Sequence, residues 1–205
     1  LEAMLTRAGI RFTQSAHAGA GELHTVIFLN LKTKEGHRLY RWVLDNVAGL
    51  VKLFRGSLSG EHGDGRMRAE FLPKVIGEAN YRLCCAVKDL FDPANIFNPG
   101  KIVRAPPMDT SLRYSPDWPT PEIETYYDWS RDLGVVRAVE RCNGIAECKK
   151  TGNGLMCPSY MATREEKDST RARANVLREF LTHSTKANRF DHQEIKDVLD
   201  LCLSC

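Results

Sequence analysis

The stretch that decides the fold is RFTQSAHAGAGELHTVIFLN, residues 11–30. Two arms, residues 11–17 and 24–30, flank a short run that contains two glycines. Arms of this kind around a glycine-containing turn predict a β-hairpin. His17 and His24 stand at the inner ends of the arms, so pairing of the arms would set the two imidazoles opposite each other on one face. Directly opposed residues have Cβ atoms about 4.5–5.5 Å apart, close enough for both rings to share one metal ion.

Segments whose apolar residues recur at helical spacing lie before and after the predicted hairpin. Apolar residues recur at helical intervals over residues 34–54, and again from about Pro73 to Leu90, where Asp92-Pro93 ends the second helix. The chain opens on similar spacing followed by Gly9, which resembles the end of a helix. We therefore predict an α+β fold over residues 1–103, an antiparallel sheet with helices on one face.

The composition changes after residue 103. Residues 104–130 carry five of the nine prolines and no apolar periodicity, which predicts a linker or a strap on a surface. Residues 131–205 form a predicted small, mainly helical, cysteine-rich module. Residues 163–166, TREE, match a capping box and predict a helix start there.

Composition also limits the class of protein. The chain has 205 residues, 42% of them hydrophobic and 27% charged, which is typical of a soluble globular protein. A net charge of +3 without a basic block predicts no nucleic-acid partner. We predict no membrane span and no signal peptide, and a cytoplasmic location, with a peripheral position at the inner membrane left open. Seven cysteines in such a chain indicate metal binding before disulfides.

A glycine-rich loop places a carboxylate next to an imidazole. The stretch GSLSGEHGDGR, residues 56–66, holds four glycines around Glu61 and His62. Glycine permits backbone conformations and close approaches that other residues forbid. A plain glycine turn with an exposed acid is the alternative. In an extended loop, neighbouring side chains point different ways, so we expect Glu61 and His62 to face different partners.

Two imidazoles and one carboxylate form a catalytic metal site with open positions. His17, His24 and Glu61 could supply this set, although the residues are well separated in sequence. We expect their ligating atoms to converge. The alternative is a hairpin with two ordinary histidines near its turn.

Three motifs carry a family resemblance. AHAGAGELH, GSLSGEHGDGR and DPANIFNPGKIV resemble, in this order, the C-terminal substrate domain of FAD-linked oxidases, within the D-2-hydroxyacid dehydrogenase group. The resemblance implies a divalent metal, zinc or similar, bound by His17, His24 and Glu61, and His62 as the catalytic base. It also implies that Asn98 and Lys101 border the FAD. The family commonly has Asp-Gly-Asn where this chain has Ala20-Gly21-Glu22.

The cysteines fall into two groups. Cys84 and Cys85 lie in the second predicted helix and are expected to be buried free thiols. The remaining five resemble ligands of ferredoxin-type 4Fe-4S clusters, although their spacing departs from the standard pattern. These five are Cys142, Cys148, Cys157, Cys202 and Cys205. Structural zinc and metal-free thiols are the alternatives.

A further stretch sharpens the cysteine prediction. MCPSYMATREEKDSTRARANVLREF, residues 156–180, resembles the iron–sulfur region of long bacterial fusions of an FAD-linked dehydrogenase with an electron-transfer module. That resemblance, with the C-x-x-C at the end of the chain, leads us to expect a piece of a longer protein. One cluster or two stays open.

The predicted function combines these features. The chain would be a fragment of an oxidoreductase that converts a small D-2-hydroxy acid to a 2-oxo acid. Hydride would pass to FAD, and electrons to one or more iron–sulfur clusters and then to an acceptor such as a quinone or an electron-transfer protein. Formation of a homo-oligomer is left open. The rival hypothesis is a non-catalytic electron-transfer or zinc-binding module.

Overall fold

The chain folds as two compact units. A computed structural model describes residues 1–152, 154 and 156–204, and the units are Leu1–Trp118 and Pro119–Cys205. The first unit contains, in chain order, α1 (Glu2–Arg7), β1 (Arg11–His17), β2 (Glu22–Phe28), α2 (Lys34–Leu53), α3 (Leu72–Ile76) and α4 (Glu78–Phe91). The second contains, within the described residues, α5 (Val135–Glu140), α6 (Pro158–Thr163), α7 (Thr170–His183) and α8 (Gln193–Leu199).

The predicted α+β class is confirmed, with a small sheet of two antiparallel strands. The second strand begins at Glu22, earlier than the sequence predicts. A 3-10 turn at Ala18–Ala20 and a left-handed Gly21 (φ 68°) close the loop, so the strands can pair from His17 onward. The hairpin is therefore tighter than the spacing of its two histidines suggests.

One face of the hairpin packs on helices. The buried centre of one core cluster consists of Leu5 in α1, Ile10 just before β1, and Val43 in α2. The cross-strand partners Phe12 and Ile27 pack against this cluster. Because side chains alternate along a strand, the opposite face of the hairpin carries His17 and His24. Both histidines therefore lie on the face of the hairpin that points away from the core.

The long helix α2 joins this core to a second one. Ala48, Phe71 and Met108 form a second buried cluster. Met108 comes from the proline-rich segment, so this segment packs on the first unit for part of its length. The division between the units falls after Trp118, inside the predicted linker of residues 104–130.

The predicted second helix is divided. Gly77 adopts φ 86° and ψ 151°, which ends α3 and starts α4. The apolar stripe of α4 does not enter the described core, because Leu83, Val87 and Leu90 are all exposed.

Helix α7 is central to the second unit. Leu181 of α7 is fully buried with Val135 and Val136 of α5. The predicted helix start at residues 163–166 is wrong: α6 ends at Thr163, and α7 is capped by Ser169, whose hydroxyl accepts a hydrogen bond from the Ala172 N–H. The serine occupies the extended backbone geometry that a helix cap requires.

Across the described part of the chain, none of the helices combines the length and the apolar character needed to span a lipid bilayer.

Candidate active site

The two histidines approach each other diagonally across the hairpin. His17 lies opposite Glu22 and His24 lies opposite Ser15, so the prediction that the imidazoles are directly opposed is wrong. The turn at Gly21 sets a register in which the histidines are offset by one pair on the same face. Diagonal neighbours remain within reach of long side chains, and the two ring centroids are 4.9 Å apart.

Glu61 completes a group of three. Its Oε1 lies 3.6 Å from His17 Nε2 and 3.3 Å from His24 Nε2. One ligand atom from each of the three residues lies within 4.8 Å of the others, and no other such group of His, Cys, Asp or Glu occurs among the described residues. The structure therefore brings together three side chains that the sequence places far apart.

His62 joins the same cluster. Its Nε2 lies 3.0 Å from Glu61 Oε1, and its ring centroid is 5.6 Å from that of His24. Glu61 and His62 therefore contact each other in a loop that is folded rather than extended. The expectation that they face different partners, a metal ion and the substrate, stays a prediction. Three imidazoles consequently approach one carboxylate oxygen. Only His24 of these side chains is well shielded, at 28% exposure, so the site is open to solvent in this unit.

A close backbone approach places the loop against the hairpin. A Cβ at Gly60 would lie 2.3 Å from the Glu22 carboxylate, so glycine lets the loop lie directly on this side chain. Glu22 is the cross-strand partner of His17 and shares its face. A second carboxylate thus borders the site, and the sequence analysis gave it no role.

Arg66 at the end of the loop and Arg68 just after it both donate hydrogen bonds within the first unit. Arg68 Nη1 donates to the Gly63 carbonyl at 3.1 Å and closes the glycine-rich loop. Arg66 donates to the Thr110 hydroxyl at 3.1 Å, which joins the loop to the proline-rich segment. Burial raises the pKa of Asp64, an effect that the charge of Arg68 opposes. Asp64 was not singled out in the sequence, although it belongs to the same motif.

The cysteine pair in α4 is not buried. Cys84 and Cys85 are free and partly exposed, so their predicted burial is wrong. None of the residues of α4 is buried in the described unit, and these thiols share that environment.

Four of the five predicted cluster cysteines can be located, and Cys205 lies outside the described residues. Cys148 and Cys157 are buried, whereas Cys142 and Cys202 are partly exposed. No three of these four sulfurs meet at the spacing of a single metal ion.

The two buried sulfurs accept N–H···S hydrogen bonds from the first turn of α7. The backbone N–H of Arg171 donates to Cys148 Sγ at 3.3 Å, and Arg173 Nη1 donates to Cys157 Sγ at 3.4 Å. The Cys157 thiol itself donates to the carbonyl of Asp168 at 3.4 Å. One helical turn therefore contacts two cysteines that are separate in sequence.

The pKa of Cys157 reflects these contacts. Burial raises the pKa of the thiol, but the Tyr160 N–H, the Thr170 hydroxyl and the Arg173 guanidinium together outweigh burial and hold the pKa below its usual value. A lowered pKa favours the thiolate, which is the form that binds metal.

A comparison with protein families identifies the domain that carries the histidine site. Residues 1–102 match the family described as FAD linked oxidases, C-terminal domain. The first half of the chain belongs to this family. The matched residues include His17, His24, Glu61 and His62, and they end before Cys142.

Several relatives of the chain are named dehydrogenases. It is 35% identical over 191 residues to a D-2-hydroxyglutarate dehydrogenase of Pseudomonas putida, a match that covers 91% of this chain and 18% of the relative. The D-2-hydroxyglutarate dehydrogenase of Escherichia coli is 33% identical over 189 residues, 87% of this chain and 18% of the relative. A D-lactate dehydrogenase of Anaerostipes hadrus is 35% identical over 96 residues, 46% of this chain and 20% of the relative.

The chain spans about a fifth of the length of these curated relatives. The matches to the two D-2-hydroxyglutarate dehydrogenases extend into both units, since each covers far more than residues 1–118. No solved structure matches the chain.

In the FAD linked oxidase domain, Asn98 and Lys101 lie on a surface loop after α4. Two backbone N–H groups of the loop donate to the buried Asp92 carboxylate, at 2.8 and 2.9 Å. The Ile102 N–H donates to the Gly65 carbonyl at 2.7 Å, which ties this loop to the one that carries Glu61. The two loops that hold the family motifs are thus joined, and Asn98 is exposed.

Proposed function

We propose that this chain is part of a flavin- and metal-dependent dehydrogenase that oxidises a D-2-hydroxy acid to a 2-oxo acid. The observation that carries the proposal is the convergence of His17, His24 and Glu61 in a domain of the FAD linked oxidase family. The chain spans about a fifth of its relatives, so the activity is proposed for the longer enzyme that would contain it.

The donor set suits a divalent ion of the zinc type. Two imidazole nitrogens and one carboxylate oxygen are ligands of catalytic zinc. With ligand bonds of about 2.0–2.1 Å, the ligand atoms of a tetrahedral site lie about 3.3 Å apart. The distances from Glu61 Oε1 to His24 and His17, 3.3 and 3.6 Å, are close to this value. A bound cation would stabilise the negative charge that develops on the substrate hydroxyl.

His62 is the proposed general base. With the Nε2 proton donated to Glu61 Oε1, at 3.0 Å, the Nδ1 atom keeps a lone pair that can accept the substrate hydroxyl proton. The imidazolium formed in this way is stabilised by the neighbouring carboxylate. Loss of the hydroxyl proton is accompanied by transfer of the C2 hydrogen as a hydride, which FAD accepts when bound. Two electrons and two hydrogens leave the hydroxy acid, and the 2-oxo acid remains.

The relatives favour one substrate class. Those that match across both units are named D-2-hydroxyglutarate dehydrogenases. We therefore propose D-2-hydroxyglutarate as the first substrate to test, with D-lactate as the comparison.

The second unit is proposed to hold an iron–sulfur cluster that passes electrons from the flavin to an acceptor, a quinone or an electron-transfer protein. Two buried cysteine sulfurs accept N–H···S hydrogen bonds. The buried Nη2 of Arg173 has no partner among the described residues, which leaves a donor for an anionic group beside Cys157. Hydrogen bonds to the sulfurs are a feature of such clusters.

The test of the metal site is a substitution of Glu61 in the full-length enzyme. We expect Glu61→Gln to lower both the metal content and the turnover of D-2-hydroxyglutarate, because a neutral amide is a weaker ligand than a carboxylate. Glu35→Gln is the matched control, since Glu35 pairs with Arg38 on the surface of α2. The measurements are elemental analysis and steady-state turnover. Equal metal content and turnover in the two variants would contradict the proposal.

A further inference from the structure

The second unit contains a buried cation next to one of the cysteines proposed as cluster ligands. Arg173 lies in the first turn of α7 and is 7% exposed. Its Nε donates to the Val198 carbonyl at 2.7 Å, and its Nη1 donates to Cys157 Sγ at 3.4 Å. Its Nη2 is buried and has no hydrogen-bond partner in the described part of the chain.

A buried guanidinium with an unused donor is costly. Burying a charge or a polar group without a partner loses its hydration, so such groups are normally paired. The buried carboxylate of Asp168 interacts with the charge of Arg173 and accepts from Lys167 Nζ at 2.9 Å, but it does not accept a hydrogen bond from Nη2. An anionic group that involves Cys157 would supply the missing acceptor for Nη2.

The same side chain also joins two cysteine-bearing segments. Val198 lies near the end of α8, and Cys202 follows shortly after it. Ser159, two residues after Cys157, donates to the Leu201 carbonyl. Arg173 and Ser159 therefore hold the segment of Cys157 next to the segment of Cys202.

We propose that Arg173 is a positioning residue for an iron–sulfur cluster ligated by Cys157, and that its charge raises the reduction potential of that cluster. The inference rests on the proposed iron–sulfur function of the second unit. Reduction adds one negative charge to a cluster, and a buried cation that donates to a ligand sulfur stabilises the reduced state more than the oxidised one. A structural arginine that only ties α7 to α8 would not produce this effect.

The experiment compares variants of the full-length enzyme. Arg173→Met removes the charge and the hydrogen bonds at similar length, whereas Arg173→Lys keeps the charge and loses the fork of donors. The control is Arg178→Met on the same helix, because Arg178 donates to Asn175 and to no cysteine that is described. Iron and acid-labile sulfide are measured first, and midpoint potentials are then measured by redox titration followed by electron paramagnetic resonance.

We expect the potential of one cluster to fall in Arg173→Met, to fall less in Arg173→Lys, and to stay at the wild-type value in Arg178→Met. If Arg173→Met does not retain a cluster, the midpoint potential of the cluster in Arg173→Lys decides whether Arg173 tunes the cluster. If the wild type and the variants all contain iron and sulfide and their midpoint potentials are equal, the role of Arg173 is overturned. The proposed function then stays intact. A wild type without iron and sulfide would overturn the iron–sulfur function itself, and this inference with it.

Discussion

At the scale of single residues, one carboxylate oxygen organises the site. Glu61 Oε1 has His62, His24 and His17 nitrogens within 3.0, 3.3 and 3.6 Å. A carboxylate in this position can bind a metal ion with two of the imidazoles and orient the third. The proposed roles of Glu61 and His62 can therefore be separated by measuring metal content and rate independently.

We expect His62→Asn to lower kcat by about 10²–10⁴-fold, the usual loss on removing a general base. Asparagine keeps similar size and polarity but cannot accept a proton near neutral pH. Metal content should stay close to that of the wild type, because His17, His24 and Glu61 remain. Turnover of D-2-hydroxy acids and elemental analysis of the full-length enzyme are the measurements.

His183→Asn serves as the control for this substitution, since His183 is exposed on α7 and pairs with Glu179. A His62→Asn enzyme with the kcat of that control would show that His62 is not the base. Loss of metal as complete as in Glu61→Gln would show instead that His62 is a ligand.

At the scale of elements, α2 is the support for the hairpin and for the second core. Its start is crowded: a Cβ at Gly36 would lie 1.9 Å from the Asn30 carbonyl oxygen, and that atom belongs to the backbone. At Gly49 of the same helix, the nearest atom to a Cβ is Lys74 Nζ, at 3.8 Å. A side chain at Gly36 would therefore clash with the backbone, whereas the surroundings of Gly49 leave room for a Cβ.

We expect opposite effects of alanine at these two positions. Gly36→Ala should lower the free energy of unfolding by about 1–3 kcal/mol, as overpacking does. Gly49→Ala should raise it by about 0.5–1 kcal/mol, because alanine loses less conformational entropy in a helix. Urea unfolding of the 205-residue chain, followed by circular dichroism, measures both. A stabilised Gly36→Ala chain would mean that the loop before α2 moves away without cost.

A second feature of α2 attaches the proline-rich segment. Arg41 Nη1 donates to Glu70 at 2.7 Å and Nη2 donates to Asp109 at 2.9 Å. Glu70 also accepts from the Met108 N–H at 2.7 Å. Hydrogen bonds from Arg41 hold the pKa values of Glu70 and Asp109 below their usual range, against the opposing effect of burial.

We expect Arg41→Gln to lower the free energy of unfolding at neutral pH by roughly 1 kcal/mol, a value reduced for the partial exposure of the pair. Since the folded pKa values are lowered, this stability is present above the unfolded pKa values of about 4 and is lost as pH falls through the folded ones. The gap between wild type and variant should therefore shrink in acid. Thermal unfolding from pH 7 to pH 2 measures it.

The control for the pH experiment is Arg38→Gln on the same helix. Arg38 pairs with Glu35, and both side chains are more than 60% exposed. This variant should unfold close to the wild-type temperature at neutral pH. A difference between Arg41→Gln and wild type that stays constant with pH would contradict the assigned role of the two carboxylates.

At the scale of the whole molecule, the family domain and the cysteines proposed as cluster ligands occupy different compact units. The site of the three imidazoles lies in Leu1–Trp118, and the sulfurs that accept hydrogen bonds lie in the second unit. Relatives that match across both units are about five times as long as this chain. The reaction is therefore proposed for the longer enzyme.

We expect the 205-residue chain by itself to bind little or no FAD and to show no dehydrogenase activity. Its sequence has no glycine loop of the strand–helix type that cradles a phosphate. Ultrafiltration with FAD, an absorbance spectrum and a turnover assay with D-2-hydroxyglutarate are the measurements, with the full-length enzyme as the positive control. A yellow and active chain would contradict this division of roles.

Local patterns in the sequence were sufficient for the element types and for the candidate ligands. The apolar spacing of residues 34–54 predicts α2 to within one residue at its end, because helix periodicity depends on near neighbours. The motif residues His17, His24 and Glu61 were recognisable from residue type and resemblance. The predicted start at residues 163–166 failed, because Ser169 offered a competing cap that a short pattern cannot rank.

The sequence by itself determined which residues are candidates for the proposed chemistry: two histidines beside a glycine turn, a Glu-His pair in a glycine-rich loop, and a set of cysteines. Only the tertiary structure decided how they meet. The left-handed backbone of Gly21 closes the turn and sets the hairpin register. In this register, His17 and His24 are offset by one pair on the same face. The contact of Gly60 with Glu22 and the approach of His62 to Glu61 depend on packing between segments distant in sequence. Such contacts arise from the sum of many weak interactions across the fold, and no local spacing encodes them.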